Sequence, residues 1–209
     1  EERAYLTEME HKAKELQMSG ENKNVLNFDT KNVYDTKNSL SARQRLDRVI
    51  KRITPSFEEP LIAANPFGTN LNSFYFYFTT ESPGMVPYTV TVADQSVPDH
   101  VRYVNNGQEN NLSKTHEFTV SGLVPGMTNF IMIEVLGRDG NVKKSQIYKY
   151  GAKGASAAVK LSVKKGNSKD TVHNGLYFVL PAAEKEIYAY DNSGILRNVT
   201  MTESGHGRR

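Results

Sequence analysis

Histidine is the residue type in this chain best suited to act as a nucleophile or proton carrier, and only one of its histidines stands in a suggestive setting. The five are His11, His100, His116, His173 and His206. His206 is followed closely by Arg208 and Arg209, and a histidine beside two guanidinium groups could hold a sulfate or phosphate oxyanion. A frayed loop at the end of the sequence is the simpler interpretation. No catalytic residue is therefore predicted.

The motifs of several enzyme and binding classes are missing from the sequence. No histidines have the HxxxH or HExxH spacing of zinc sites, and there is no GxSxG turn, phosphate-binding glycine loop or dinucleotide fingerprint. The absence of cysteine excludes disulfides, thiolate metal ligands and cysteine nucleophiles, and it is compatible with a bacterial exported protein. A net charge of +3 is too small to indicate nucleic acid. The sequence thus predicts no metal, cofactor or nucleic-acid site.

Residues 1–54 predict a helical N-terminal extension. The first helix carries apolar residues at three- and four-residue steps: Leu6, Met9, Ala13 and Leu16. It is expected to end near Ser19-Gly20. Residues 20–38 are rich in Asn, Lys and Asp without a period, which predicts a loop. The apolar face of the first helix also suggests that two copies of the chain could pair as a homodimer.

A second helix is predicted to begin at Ser41, which forms a capping-box pattern with Gln44. Pro55 ends it and favours an extended Thr54. Its apolar stripe is Leu46, Val49, Ile50 and Ile53, and its cations include Arg43, Arg45, Arg48, Lys51 and Arg52. These cations could contact anionic lipid or an acidic partner, or they could form the solvated face of a packed helix. The short apolar stripe without aromatics favours the packed helix.

Residues 55–151 change to a period of two, which indicates strands. Phe74, Phe76 and Phe78 alternate with Tyr75 and Tyr77, so the phenylalanines are expected to face a core and the tyrosines the opposite face. The breaker cluster 65–70 should join an edge segment, 61–64, to this long strand. The strand at 130–135 is apolar on both faces and should be central. About seven short strands predict an antiparallel β-sandwich of immunoglobulin or fibronectin type.

The C-terminal part of the sequence predicts a different architecture. Residues 152–171 look like a connector with one short apolar alternation. In residues 172–209, "GLYFVLPA" (175–182) predicts a strand and "EIYAYDNSGILRNVTM" (186–201) a hairpin around an Asp-x-x-Gly turn. Such paired strands are typical of propeller blades, and one blade cannot bury both faces alone. We therefore expect 172–209 to be the first strands of a truncated β-propeller.

Three stretches together resemble the N-terminal region of bacterial arylsulfate sulfotransferases of the cofactor-independent type. They are "NPFGTNLNSFYFYFTTESPGMVPYTVTVAD" (65–94), "HEFTVSGLVPGMTNFIMIEVLGRDGN" (116–141) and "GLYFVLPAAEKEIYAYDNSGILR" (175–197). The Leu-x-Pro-Gly turn also resembles the corner of fibronectin type III domains. Those domains usually place a Tyr after the turn, where this chain has Asn129 and Phe130.

The resemblance implies a function that the residues alone do not. This family places a β-sandwich before a six-bladed propeller and moves a sulfuryl group from a phenolic sulfate ester to a phenol acceptor through a sulfated histidine. No position of this sequence matches the family's catalytic residues, so the chain is expected to be a non-catalytic region that supports its own propeller. The implied location is the periplasm or, in a Gram-positive bacterium, the extracellular space or cell surface. The alternative is a fibronectin-like binding module of a bacterial exported or surface protein.

Overall fold

Two β-sheets stack face to face around the largest apolar core, as expected of an Ig-like sandwich. The structure is a computed structural model that describes residues 2–16, 24–28, 34–104, 112–155, 175–181 and 185–202. Two helices lie in the N-terminal segment, and a separate three-stranded sheet lies near the C-terminus. The predicted mainly β fold with an Ig-like sandwich is confirmed.

The two sandwich sheets use nine strands. The first sheet contains β2 (Val25–Asn27), β3 (Leu61–Ala64), β4 (Phe74–Gly84) and β7 (Ser113–Val120), in the order β2-β3-β4-β7. The second contains β1 (Lys14–Glu15), β5 (Pro87–Val92), β6 (His100–Tyr103), β8 (Thr128–Leu136) and β9 (Val142–Gly151), in the order β1-β9-β8-β5-β6. Strands β4 to β9 correspond to the six predicted runs with a period of two, β3 is the predicted segment 61–64, and β8 is central as expected.

Strand β4 shows how alternation builds the sandwich. Phe74, Phe76 and Phe78 are all at most 2% exposed and lie in the core between the sheets. Tyr75 and Tyr77 point to the opposite face of the same sheet, where they pack with the second helix. Successive side chains of a strand point to opposite faces, so one strand can supply two separate apolar layers. The predicted orientation of these five aromatics is confirmed.

The N-terminal segment joins the sandwich more closely than its sequence pattern predicts. Helix α1 spans Glu2–Lys12, and the prediction that it continues to Ser19-Gly20 is wrong. Strand β1 follows at once and pairs in parallel with β9, and the Leu16 amide donates to the Lys149 carbonyl at 2.9 Å. Extended pairing buries Leu16 in the main core while its backbone group finds a sheet partner.

Strand β2 lies inside the segment 20–38 that was predicted to be loop. It pairs in parallel with β3 and buries Val25 in the sandwich core. Strand β3 therefore has a partner on both sides, and its prediction as an edge segment is wrong. A three-residue strand that pairs with a distant segment leaves no local period in the sequence, because its register is set by the sheet that receives it.

Helix α2 spans Thr36–Ile53 and covers the outer face of the first sheet. Its N-cap is Asp35, whose carboxylate accepts from the Lys37 amide at 2.8 Å, so the prediction of a start at Ser41 is wrong. Thr54 caps the other end with φ 47°, in the left-handed region and not extended as predicted. Leu46 is fully buried against the outer face of the sheet. Within the described ranges, neither helix is long and apolar enough to cross a membrane.

Asn129 takes the place of the missing corner tyrosine. It is fully buried, and its Oδ1 accepts from the Val124 amide at 2.7 Å. Its Nδ2 donates to the carbonyls of Val124 at 3.1 Å and Met127 at 3.0 Å. One amide side chain thereby satisfies three backbone groups of the Leu-x-Pro-Gly loop, because it carries both an acceptor and two donors. These bonds tie Asn129 to the loop 121–127 at Val124 and Met127.

The C-terminal sheet consists of three antiparallel strands. They are β10 (Tyr177–Val179), β11 (Glu186–Tyr190) and β12 (Leu196–Met201), in that order. The predicted hairpin over 186–201 is confirmed by the antiparallel pairing of β11 and β12. That this sheet begins a propeller stays a prediction. Residues 156–174, which include most of the predicted connector, lie outside the described residues.

Candidate functional site: the junction with the C-terminal sheet

The described histidines differ in their burial. His11 lies exposed near the end of α1, whereas His100 and His116 are buried at 4% and 3% exposure. His173, His206, Arg208 and Arg209 lie outside the described residues, so the anion site considered there remains a prediction. In the part of the chain that the structure describes, no group of three histidine, aspartate or glutamate side chains could hold a metal ion.

Arg197 on β12 is the most unusual buried residue, because a cationic side chain with 1% exposure requires partners. Its Nε donates to Asp191 Oδ2 at 2.7 Å. Its Nη1 donates to the Gly122 carbonyl at 3.2 Å, and its Nη2 donates to the Pro98 carbonyl. The guanidinium thus connects the C-terminal sheet to two separate loops of the sandwich. Its planar set of donors suits three acceptors in one plane.

Asp191 is positioned by the turn between β11 and β12. Its Oδ1 accepts from the amides of Ser193 at 2.9 Å and Ile195 at 3.0 Å, which leaves Oδ2 for Arg197. Gly194 has φ 76°, a conformation that glycine adopts without strain. Aspartate followed by a glycine three residues later is therefore suited to form this turn and to present a carboxylate to the neighbouring strand.

Backbone hydrogen bonds continue the junction along β12. The Gly122 amide donates to the Arg197 carbonyl at 3.0 Å, and the Leu71 amide donates to the Val199 carbonyl at 2.9 Å. The Met201 amide donates to the Thr69 carbonyl at 2.9 Å. Alternate residues of β12 thus bond to the sandwich, as in a sheet edge that receives a partner. Strand β12 is held by main-chain bonds as well as by its arginine.

The breaker cluster at 65–70 forms the loop that receives β12. Asn65 has φ 42° and accepts from the Asn70 amide at 3.0 Å through its side chain. This closes the loop and presents Asn70, whose Oδ1 accepts from the Thr200 hydroxyl at 3.2 Å. Gly68, with φ 78°, completes the turn. The cluster that marks the start of the long strand β4 is therefore also a docking loop for the C-terminal sheet.

His100 lies directly beneath the junction. Its Nε2 is enclosed and has no hydrogen-bond partner, and its ring packs against Gly122, where an added Cβ would lie 2.0 Å from Cδ2. Burial, followed by the charges of Arg102 and Arg197, lowers the pKa of His100 to about 4, although Asp191 opposes the shift. A neutral imidazole therefore lies beside the buried guanidinium.

The hydrogen bonds of Arg197 and Asp191 hold the two sheets together at this junction. A cavity of about 170 Å³ beside it is lined by residues that include His100, Arg102, Asp191 and Ser193. The Arg197 and Asp191 groups are occupied by the bonds already described, and His100 is neutral. These residues were missed at the sequence level. Their one sequence signal is an arginine in the strand 196–201, six residues after Asp191.

Comparison with known proteins yields one family. The model described as the arylsulfotransferase Ig-like domain matches residues 61–153. This range coincides with the seven strands β3 to β9, and the match agrees with the resemblance that the sequence stretches show. No curated protein and no solved structure matches the chain.

Proposed function

We propose that the chain is the N-terminal, non-catalytic region of an arylsulfate sulfotransferase, because the model described as the arylsulfotransferase Ig-like domain matches residues 61–153. The complete enzyme would transfer a sulfuryl group from a phenolic sulfate ester to a phenol acceptor. The catalytic residues would lie in parts of the propeller outside the described residues. Support comes from the family match over residues 61–153.

The proposed role of the chain is to support that propeller. The observation that carries this role is the buried Arg197, which joins β12 to the Gly122 and Pro98 carbonyls of the sandwich. Strands β10 to β12 would be the first part of the propeller, and the sandwich would hold them in place. A fixed first sheet would give later strands a template to pair with, because an unpaired strand edge offers a row of free backbone groups.

The test compares residues 1–209 with the protein expressed from the complete reading frame that contains them. Both are incubated with p-nitrophenyl sulfate and phenol, and release of p-nitrophenol is measured. We expect release by the complete protein and none by residues 1–209. Release by residues 1–209 alone would contradict the non-catalytic role. No sulfuryl transfer by either protein would instead favour the alternative, a fibronectin-like binding module.

Export is part of the same proposal. The lack of cysteine is compatible with a protein that folds outside the cytoplasm, where thiols are exposed to oxidation. Fractionation of the producing bacterium, with an antibody to this chain, should find it in the periplasmic or extracellular fraction. Recovery with a cytoplasmic marker would contradict this part of the proposal.

A further inference from the structure

The net charge of helix α2 is more positive than the net charge of the whole chain. It contains six basic residues and one acidic residue, a net charge of +5, in its sequence TKNSLSARQRLDRVIKRI. The full chain contains 26 basic and 23 acidic residues, which leaves 20 basic and 22 acidic residues outside α2. The remainder therefore has a net charge of −2. The positive charge is concentrated on one helix of a chain that is otherwise slightly acidic.

Four of the six cations of α2 lie on the side of the helix that faces away from the sandwich. We call Arg45, Arg48, Lys51 and Arg52 the basic ridge, and all four are exposed. At 100° per residue they fall within an arc of about 120°, and that arc is centred roughly opposite the buried Leu46. They extend over about 10 Å of helix at a rise of ~1.5 Å per residue.

The basic ridge has no acidic partner among the described residues. Within the described ranges, α2 forms two ion pairs, and both involve Arg43, which contacts Asp47 at 3.0 Å and also Glu117. Arg45 lies 4.6 Å from the centre of the Phe28 ring, a contact that orients the guanidinium without neutralising it. The charge of the ridge is therefore available to an external anion.

We propose that the basic ridge adsorbs the protein onto an anionic bilayer surface. The ridge is the convex outer face of a helix, and its four flexible cations on one face can reach a plane of lipid headgroups together. The apolar stripe of α2 is occupied by its contacts with the first sheet, so the helix would rest on the headgroups without insertion. This inference is independent of the proposed sulfuryl transfer.

The test measures co-sedimentation of the 209-residue chain with vesicles. One set contains equal parts of phosphatidylcholine and phosphatidylglycerol, and the other contains phosphatidylcholine only. We expect binding to the first set alone, and its loss when NaCl is raised to roughly 1 M, where the Debye length falls to about 3 Å. Equal binding to both sets, or none to either, would overturn the proposal.

Two matched triple variants locate the surface. Arg48→Gln/Lys51→Gln/Arg52→Gln should lower the partition coefficient on the order of a hundredfold, at roughly fivefold per cation. Lys114→Gln/Arg138→Gln/Lys185→Gln removes the same charge from exposed sites elsewhere and should retain most of the binding. Equal losses from the two triples would show that net charge alone drives adsorption and would overturn the role of α2.

A third variant guards against a loss of folding. Arg48→Lys/Arg52→Lys preserves every charge and should bind like the unmodified chain, because adsorption to a plane of headgroups needs charge and not a bidentate geometry. A large loss in this variant would contradict adsorption. A final arm replaces vesicles with soluble polyglutamate. Binding to polyglutamate with none to anionic vesicles would favour an acidic protein partner and overturn the bilayer proposal.

Discussion

Replacement of Asp191 by asparagine tests whether the buried ion pair holds the C-terminal sheet to the sandwich. Asparagine keeps a side-chain oxygen for the amides of Ser193 and Ile195, so the turn itself should survive. What is lost is the negative charge that faces Arg197, whose side chain is 1% exposed. The substitution therefore isolates the ion pair from the shape of the turn.

The expected loss of stability follows from burial. An exposed ion pair contributes about 0–1 kcal/mol, but removal of one partner from a buried pair costs roughly 3–5 kcal/mol, because the other charge stays in the interior uncompensated. Asp191 is itself 16% exposed, so some water reaches the pair. We therefore expect about 3 kcal/mol, the lower end of that range. The loss should be local to the junction if the sandwich unfolds independently.

The assay combines urea unfolding with hydrogen exchange read by mass spectrometry. Asp191→Asn should speed exchange in residues 185–202 and lower the unfolding midpoint, with a smaller effect on β3 to β9. Asp139→Asn is the matched control, since Asp139 also accepts from a backbone amide in a turn and pairs with Lys143 at 2.8 Å. That pair is exposed, so the control should leave the midpoint unchanged. A loss below about 1 kcal/mol for Asp191→Asn would refute the reasoning.

Two further predictions concern the same junction and the buried histidines. Gly122→Ala should lower the free energy of unfolding by about 2–4 kcal/mol, because its Cβ would meet the His100 ring and φ is 94°. Gly140→Ala, with φ 75° and no atom within 4 Å of its Cβ, should lower it by about 1 kcal/mol. Equal thermal unfolding midpoints of the two variants would contradict the close packing of Gly122 against His100. Burial lowers the pKa of both His100 and His116 to about 4 from an ordinary value of 6.5. Between these values the unfolded chain binds protons that the native chain does not, so stability should fall as pH drops from 6.5 toward 4, by roughly 1.4 kcal/mol per pH unit for each histidine. Urea titrations at a series of pH values measure this change in the free energy of unfolding. His116→Gln should remove the part of the pH dependence that His116 contributes. A free energy of unfolding that does not change between pH 6.5 and 4 would refute the prediction.

Local patterns explain which elements could be predicted. The alternation in β4 and the apolar faces of β8 follow from burial on a pleated strand, and the structure agrees with both. The turn from Asp191 to Gly194 follows from aspartate and glycine chemistry. Apart from β3, which is not at an edge, the errors fall in the N-terminal segment. There Leu16 continues an apparent helical period but lies in an extended part of the chain. Helix and strand periods coincide over a few residues, so tertiary pairing decides between them.

By itself, the sequence determined the type of the sandwich and the approximate positions of most of its strands, because period-two burial and turn residues are local properties of the chain. It also determined that α2 carries the basic residues. Only the tertiary structure decided that Arg197 lies buried among carbonyls of two distant loops, and that Asn129 replaces the corner tyrosine. It likewise decided that β1 and β2 extend the sheets. Each of these depends on groups that are far apart in sequence and meet only when the sheets stack, so no local pattern can specify them.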